Sequence, residues 1–462
     1  MPPFQSTDIN VNHSDLSNAI RFLSVDAVQK AKSGHPGMPM GIADVATVLF
    51  SEFLIFDPLD PKWPNRDRFV LSAGHGSMLL YSLLYLTGYR DINIDDIKKF
   101  RQLDAKTAGH PEYGHSSGIE TTTGPLGQGL GNAVGMALAE RLHNQRFGED
   151  IVSHFTYVIV GDGCLMEGIS HEAISLAGSL CLSKLIVIFD DNDVCIDGPT
   201  SLTVNDDQSA RFSASGWHVQ SIDGHDPDAI RTAIVVAQNS NKPSMIACKT
   251  IIGFGSPNKA GNAGAHGAPL GEEEINATRL KLNWPHPPFE IPDRILTAWR
   301  SYGKEVGKKR DLWITRLNAL EISKKEEFDQ MINGVLPSQW QDSLNNFKKD
   351  CSFKKPKWAT RKSSGEVLNI LTKEIPQLIG GSADLTGSVN TKTPSTQSIS
   401  KEDYRGRYVH YGVREHAMSA IMNGLALSSG FIPYGGTFLV FADYMRGGMR
   451  LSALMKQRVI YV

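Results

Sequence analysis

The chain has no apolar run approaching the ~20 residues needed to span a bilayer as a helix. Its charges nearly cancel, with 47 Lys and Arg against 49 Asp and Glu. A net charge of −2 leaves no basic face for nucleic acid or an anionic membrane surface, so neither is an expected partner. Cysteine is scarce: Cys164, Cys181, Cys195, Cys248 and Cys351 are odd in number, widely spaced and without a Cys-x-x-Cys pair. Buried thiols are therefore expected rather than disulfides or zinc ligands. The stretch from Met1 to Asp15 is polar and lacks the apolar core of a signal peptide, which adds to a cytoplasmic expectation. Two common phosphate devices are also missing. No Gly-Lys-Ser or Gly-Lys-Thr occurs, and Gly161-Asp162-Gly163 is not followed by a third glycine at dinucleotide-binding spacing, the next being Gly168.

What is present is organised around residues 156–192. Tyr157 to Val160 is a β-rich apolar run that stops at Gly161-Asp162-Gly163, and a helical pattern is expected from about Glu167 to Leu182. Leu185 to Phe189 is a second apolar run, ending at Asp190-Asp191-Asn192. Continuously apolar strands joined by a helix predict a parallel sheet covered on both faces, with ligands outside the carboxyl ends of its strands. Asp162 and Asn192 stand at two such ends, so a carboxylate and an amide oxygen can converge on one hard cation. Mg²⁺ takes about six oxygens and fills most positions from phosphate and water. Glycine beside Asp162 and the helix amides after it favour a diphosphate. A tight strand-to-helix turn with a solvated aspartate is the plainer alternative, and Asn192 at the neighbouring strand end weighs against it.

Four loops hold an imidazole beside glycine: Ser33-Gly34-His35-Pro36-Gly37, Ala73-Gly74-His75-Gly76, Gly109-His110-Pro111 and His266-Gly267. Single Gly-His pairs are ordinary turn punctuation. Four in a region with a diphosphate site predict a convergent cluster able to bond phosphate and hydroxyl oxygens and to move protons near neutral pH. Zinc is disfavoured by the missing Cys partner and the missing His pair at helical spacing. Helices are expected over residues 15–32, 41–54, 77–86 and 130–142, and a strand at Val70-Leu71-Ser72.

Gly161-Asp162-Gly163-Cys164-Leu165-Met166-Glu167-Gly168 with Asp190-Asp191-Asn192 resembles the thiamine diphosphate motif of transketolases. The four histidine loops and Thr122-Thr123-Gly124-Pro125-Leu126-Gly127-Gln128-Gly129 are similar to motifs of that family, in its order. The resemblance implies an α/β fold, with a complete N-terminal diphosphate-binding domain at residues 1–320, a Lys- and Glu-rich linker at 321–355 and a partial pyrimidine-binding domain at 356–462. It implies that Asp162, Asn192 and the carbonyl of Val194 bind Mg²⁺, or Ca²⁺ or another divalent ion. Gly124, Pro125, Leu126, Gly163, Asn192, His75 and His266 would contact thiamine diphosphate, and His35, His110 and His266 would serve substrate and catalysis.

In the second domain Gly412-Val413-Arg414-Glu415-His416-Ala417 resembles the pyrimidine-binding segment. By that likeness Glu415 is the key catalytic acid/base residue and hydrogen-bonds the aminopyrimidine, and Phe438, Phe441 and Tyr444 surround it. The three aromatics recur at helical spacing, a pattern that by itself is core more often than platform. Arg361, Ser388, His35 and His266 would hold the sugar phosphate, a guanidinium fork suiting phosphate well.

The family likeness implies a homodimer with shared sites, in which Glu167 meets the partner near its Glu415. The implied reaction moves a two-carbon ketol group from a ketose phosphate such as xylulose 5-phosphate to an aldose phosphate such as ribose 5-phosphate or erythrose 4-phosphate. Another thiamine diphosphate enzyme, such as deoxyxylulose phosphate synthase, fits the histidine loops less well. The last residues, Arg458 to Val462, read as a central strand, and the likeness covers about two thirds of a complete family member. An inactive, C-terminally shortened cofactor-binding form is therefore the alternative expectation.

Overall fold

The computed structural model describes residues 11–462, so part of the polar stretch read from Met1 lies outside the described residues. The chain divides into two compact units that interleave in sequence. One takes the residues up to Leu130 with His154–Ile174 and Ser183–Leu312, and the other Gly131–Ser153, Ser175–Leu182 and Trp313–Val462.

The first unit is built on a five-stranded, wholly parallel sheet of β1 (Arg68–Leu71), β2 (Thr156–Gly161), β3 (Leu185–Asp191), β4 (His218–Asp223) and β5 (Ser244–Lys249), in the order β1-β2-β3-β5-β4. The two runs singled out in the sequence are its central strands. Tyr157 to Val160 and Leu185 to Ile188 have no measurable exposure, as expected of strands covered on both faces. Between them the expected single helix is split. A one-turn helix, Asp162–Met166, starts directly at the strand end, Glu167 is extended with φ −64° and ψ 135°, and Gly168–Ser179 follows. The helix expected over 41–54 is likewise segmented into Gly37–Gly41, Ala43–Val48 and a π-helical turn at Leu49–Phe53.

A buried ion pair anchors helix His13–Ala31. The Arg279 guanidinium reaches both carboxylate oxygens of Asp26 at 2.5 and 2.7 Å and lies 4.6 Å over the Phe22 ring, which stacks on Trp284. Removing one partner of such a pair strands a buried charge. Arg279→Met is expected to cost about 3–5 kcal/mol, read as the loss of denaturant midpoint in guanidinium unfolding.

The second unit holds a parallel sheet of β6 (Leu378–Ser382), β7 (Tyr408–His410), β8 (Ile432–Gly436) and β9 (Ile460–Tyr461), in the order β9-β8-β6-β7. The terminal run expected to be a central strand is a two-residue strand at the edge of the described sheet. Leu368, Ile375, Leu378, Ile432 and Tyr434 form one core cluster of this unit. The stretch read as a solvated linker, with a helical pattern expected over about 321–332, holds helices Ile322–Ile332 and Trp340–Lys354. Phe328 and Met331 are buried there, because their apolar side chains recur on one face among the charges.

Candidate functional site

Parallel register explains why two distant sequence motifs meet. Gly161 pairs with Asp190 across β2 and β3, so Asp162 and Asn192 emerge side by side from adjacent carboxyl ends. They line one cavity of about 330 Å³ in the first unit together with His35, His75, His110, Gly124, Leu126, Gly163, Val194 and His266. Ten residues from seven separate stretches of sequence thus converge at the end of the sheet where ligands are expected.

The carboxylate end of the cavity is poised for a cation. Asp162 Oδ2 is buried and has no hydrogen-bond partner. Burial first, and then the charges of Asp190, Asp191 and Asp193, push its carboxyl up to about 8. The Asn192 amide is held in one orientation: its Nδ2 donates to Asp190 Oδ2 at 2.9 Å, and its Oδ1 accepts from the Val194 N–H at 3.0 Å. Asp190 is itself fixed by the Thr250 hydroxyl, which donates to its Oδ1. Among the described residues no group of three His, Cys, Asp or Glu side chains could hold a metal ion. One carboxylate, one amide and a carbonyl leave the remaining positions of a hard cation to phosphate and water, so these residues fit a diphosphate-bound ion.

The imidazoles occupy the other wall. His75 and His266 stack with ring centroids 5.1 Å apart, and His35 meets them edge-on at 5.2 and 5.8 Å. Burial, helped by the neighbouring rings, holds His35 down to about 4 and His75 to about 3, while burial with the Arg101 charge lowers His110 and burial alone lowers His266. All four are therefore neutral at physiological pH, each able to donate from one nitrogen and accept at the other. His266 Nδ1 is buried without a partner. Gly124, at φ +131°, turns the loop in the region that favours glycine, and a Cβ there would lie 3.1 Å from the His110 ring.

Other expected residues stand elsewhere. Pro125 is half-buried between two lining residues, and Glu167 is exposed after the Asp162–Met166 turn. In the second unit Glu415 is buried at the first turn of helix Glu415–Leu427 and accepts from the Thr437 hydroxyl at 3.2 Å. Phe438, Phe441 and Tyr444 form a chain of ring contacts at 5.9 and 6.0 Å. They are not core: Phe438 is 41% and Tyr444 65% exposed, beside Leu439 at 91%. Arg361 is exposed in the first turn of helix Thr360–Glu374, and Ser388 is half-buried in the short helix Thr386–Val389.

Sequence reasoning missed Thr250, which follows β5 as the neighbour of β3. A search for polar residues at every strand end would have found it. It also missed Arg101, whose place beside His35 only packing decides.

Residues 12–337 match the family model described as transketolase, thiamine diphosphate binding domain, and residues 356–462 the one described as transketolase, pyrimidine binding domain. The chain belongs to the transketolase family. It is 56% identical to the transketolase of Cereibacter sphaeroides over 97% of its length and 68% of the relative's. It is 53% identical to transketolase 2 of Escherichia coli over 98% of its length and 68% of that protein's. Among solved structures it resembles the transketolase from Leishmania mexicana with a TM-score of 0.93 and 43% identity, covering 98% of this chain and 68% of that one. A Pichia stipitis transketolase in complex with sedoheptulose 7-phosphate matches with a TM-score of 0.92 and 42% identity, over 97% and 68% of the two chains. The chain thus spans about two thirds of the length of these transketolases, and residues 12–337 carry the thiamine diphosphate-binding part of the family fold. Among the described residues no helix is long and apolar enough to cross a membrane.

Proposed function

We propose that the protein catalyses the reversible transfer of a two-carbon ketol group from a ketose phosphate, such as xylulose 5-phosphate, to an aldose phosphate, such as ribose 5-phosphate or erythrose 4-phosphate, in the pentose phosphate pathway. The observation that carries this reading is the partnerless buried oxygen of Asp162 in the cavity that also gathers the four imidazoles.

On this reading Asp162, Asn192 and the Val194 carbonyl hold Mg²⁺ or Ca²⁺ against the diphosphate, while Gly124, Pro125, Leu126, Gly163 and His75 contact the cofactor. Bound thiamine diphosphate supplies the electron sink for the two-carbon unit. Glu415 shares a proton with a pyrimidine nitrogen, and Phe438, Phe441 and Tyr444 surround that ring. His35, His110 and His266 hold sugar hydroxyls and move protons to and from them, their neutral state leaving both roles open. In a site shared between two copies of the chain, Arg361 and Ser388 of one copy take the substrate phosphate with His35 and His266 of the other. The exposed Phe438, Leu439, Val440 and Tyr444 support a homodimer that covers them, with Glu167 at the contact between copies. Five free cysteines support a cytoplasmic location.

The test is a coupled assay on the purified chain with xylulose 5-phosphate and ribose 5-phosphate. Turnover that requires both thiamine diphosphate and Mg²⁺ is expected. Cofactor binding without turnover would remove the activity of this chain, and absence of binding would remove the site.

A further inference from the structure

Arg101 belongs to none of the motifs above, yet it touches two of the histidine loops. Its backbone is left-handed at φ +60°, and its N–H donates to the Thr107 carbonyl at 3.0 Å, closing a loop that turns the side chain back on the site. The guanidinium Nη1 donates to Ser33 Oγ at 2.8 Å, and Nη2 lies 3.4 Å from His35 Nδ1. Its Nε faces the Gly109 backbone so closely that a Cβ there would sit 3.1 Å away. The side chain therefore bridges the loop carrying His35 and the loop carrying His110.

A guanidinium has donors only and stays charged in proteins. The His35 nitrogen facing it must then be the unprotonated one, so the ring proton stands on Nε2, on the edge 3.4 Å from where a Gly267 Cβ would lie. We infer that Arg101 is a positioning residue: it locks His35 in the Nε2–H tautomer and braces the His35 and His110 loops, so that His35 presents a fixed donor in the cavity. The value of this lock to substrate rests on the function proposed above, while the lock itself does not.

The experiment uses the full chain with ¹⁵N-labelled histidine and long-range proton–nitrogen NMR. His35→Gln assigns the signal, and the tautomers of wild type, Arg101→Gln and Ser33→Ala are compared. Wild type is expected to show a single Nε2–H tautomer of His35 that persists across neutral pH. Arg101→Gln is expected to give a mixture. Steady-state kinetics is expected to show kcat/KM for the ketose phosphate down about tenfold, chiefly through KM, with thiamine diphosphate affinity within twofold of wild type. Ser33→Ala removes one anchor and gives a smaller change in the same direction, which keeps the test available if Arg101→Gln misfolds. A single unchanged tautomer in both variants, or a wild-type His35 protonated on Nδ1, overturns the inference. Because the NMR readout needs neither cofactor nor turnover, an inactive chain would fail the functional reading without touching this one.

Discussion

Asp162→Asn is expected to weaken Mg²⁺-dependent thiamine diphosphate binding by at least about 100-fold, or roughly 2.7 kcal/mol, while making the cofactor-free protein more heat-stable at pH 8. Both effects follow from one buried oxygen. With a cation present the carboxylate supplies a charge the neutral amide cannot replace. Without one, the carboxyl of the folded chain is pushed up to about 8 from an ordinary 3.8. Between those values the folded state holds a proton that the unfolded chain has released. The stability it contributes is full below about pH 4 and is lost as pH rises through about 8. Asparagine carries no such proton, so the variant should gain about 1–2 kcal/mol over wild type at pH 8, discounted for partial solvent access, and nothing at pH 4. Thermal melts of stripped protein at the two pH values, with titration calorimetry of thiamine diphosphate plus Mg²⁺, measure both arms. Undiminished cofactor affinity in the variant would refute the ion site, and an equal melting shift at both pH values would refute the electrostatic account.

The second large effect concerns stability alone. In the second unit helix Glu415–Leu427 crosses the Gly131–Phe147 part of helix Gln128–Phe147 with backbones in contact. A Cβ on Gly135 would lie 2.1 Å from the Ile421 carbonyl oxygen, and one on Gly424 would lie 2.0 Å from the Asn132 carbonyl oxygen. Real side chains never approach backbone so closely, so any substitution must drive the helices apart across a buried surface. Gly135→Val and Gly424→Val are each expected to cost at least about 4 kcal/mol, in the range reserved for overpacked cores. Even alanine should cost about 2–3 kcal/mol. Gly387, where a Cβ would meet nothing within 4 Å, is the control: Gly387→Ala should change stability by less than about 1 kcal/mol. Urea unfolding followed by circular dichroism reads the series, and near-wild-type midpoints for the valine variants would contradict the close approach. Because Glu415 opens one of these helices, loss of the crossing should also disorder the pyrimidine-binding segment.

The sequence by itself determined the central strands and what stands at their ends. Tyr157 to Val160 and Leu185 to Phe189 are apolar at every position, which only a sheet covered on both faces can satisfy, and the polar residues that end such strands have nowhere to go but the ligand edge. Asp162, Asn192 and the glycine-flanked histidines were legible for that reason, being short local patterns whose backbone demands are written in their neighbours. Tertiary structure decided what spacing cannot carry. Parallel register, set by which strand pairs with which, brought Thr250 to Asp190 and Asp162 beside Asn192. Packing decided that Phe328 and Met331 of the charged 321–355 stretch are buried. Exposure, not periodicity, distinguished Phe438 and Tyr444 from core, since the same aromatic spacing serves both. Arg101 carries no local signal at all, because the chemistry assigned to it depends on a guanidinium reaching a ring 66 positions away in the chain.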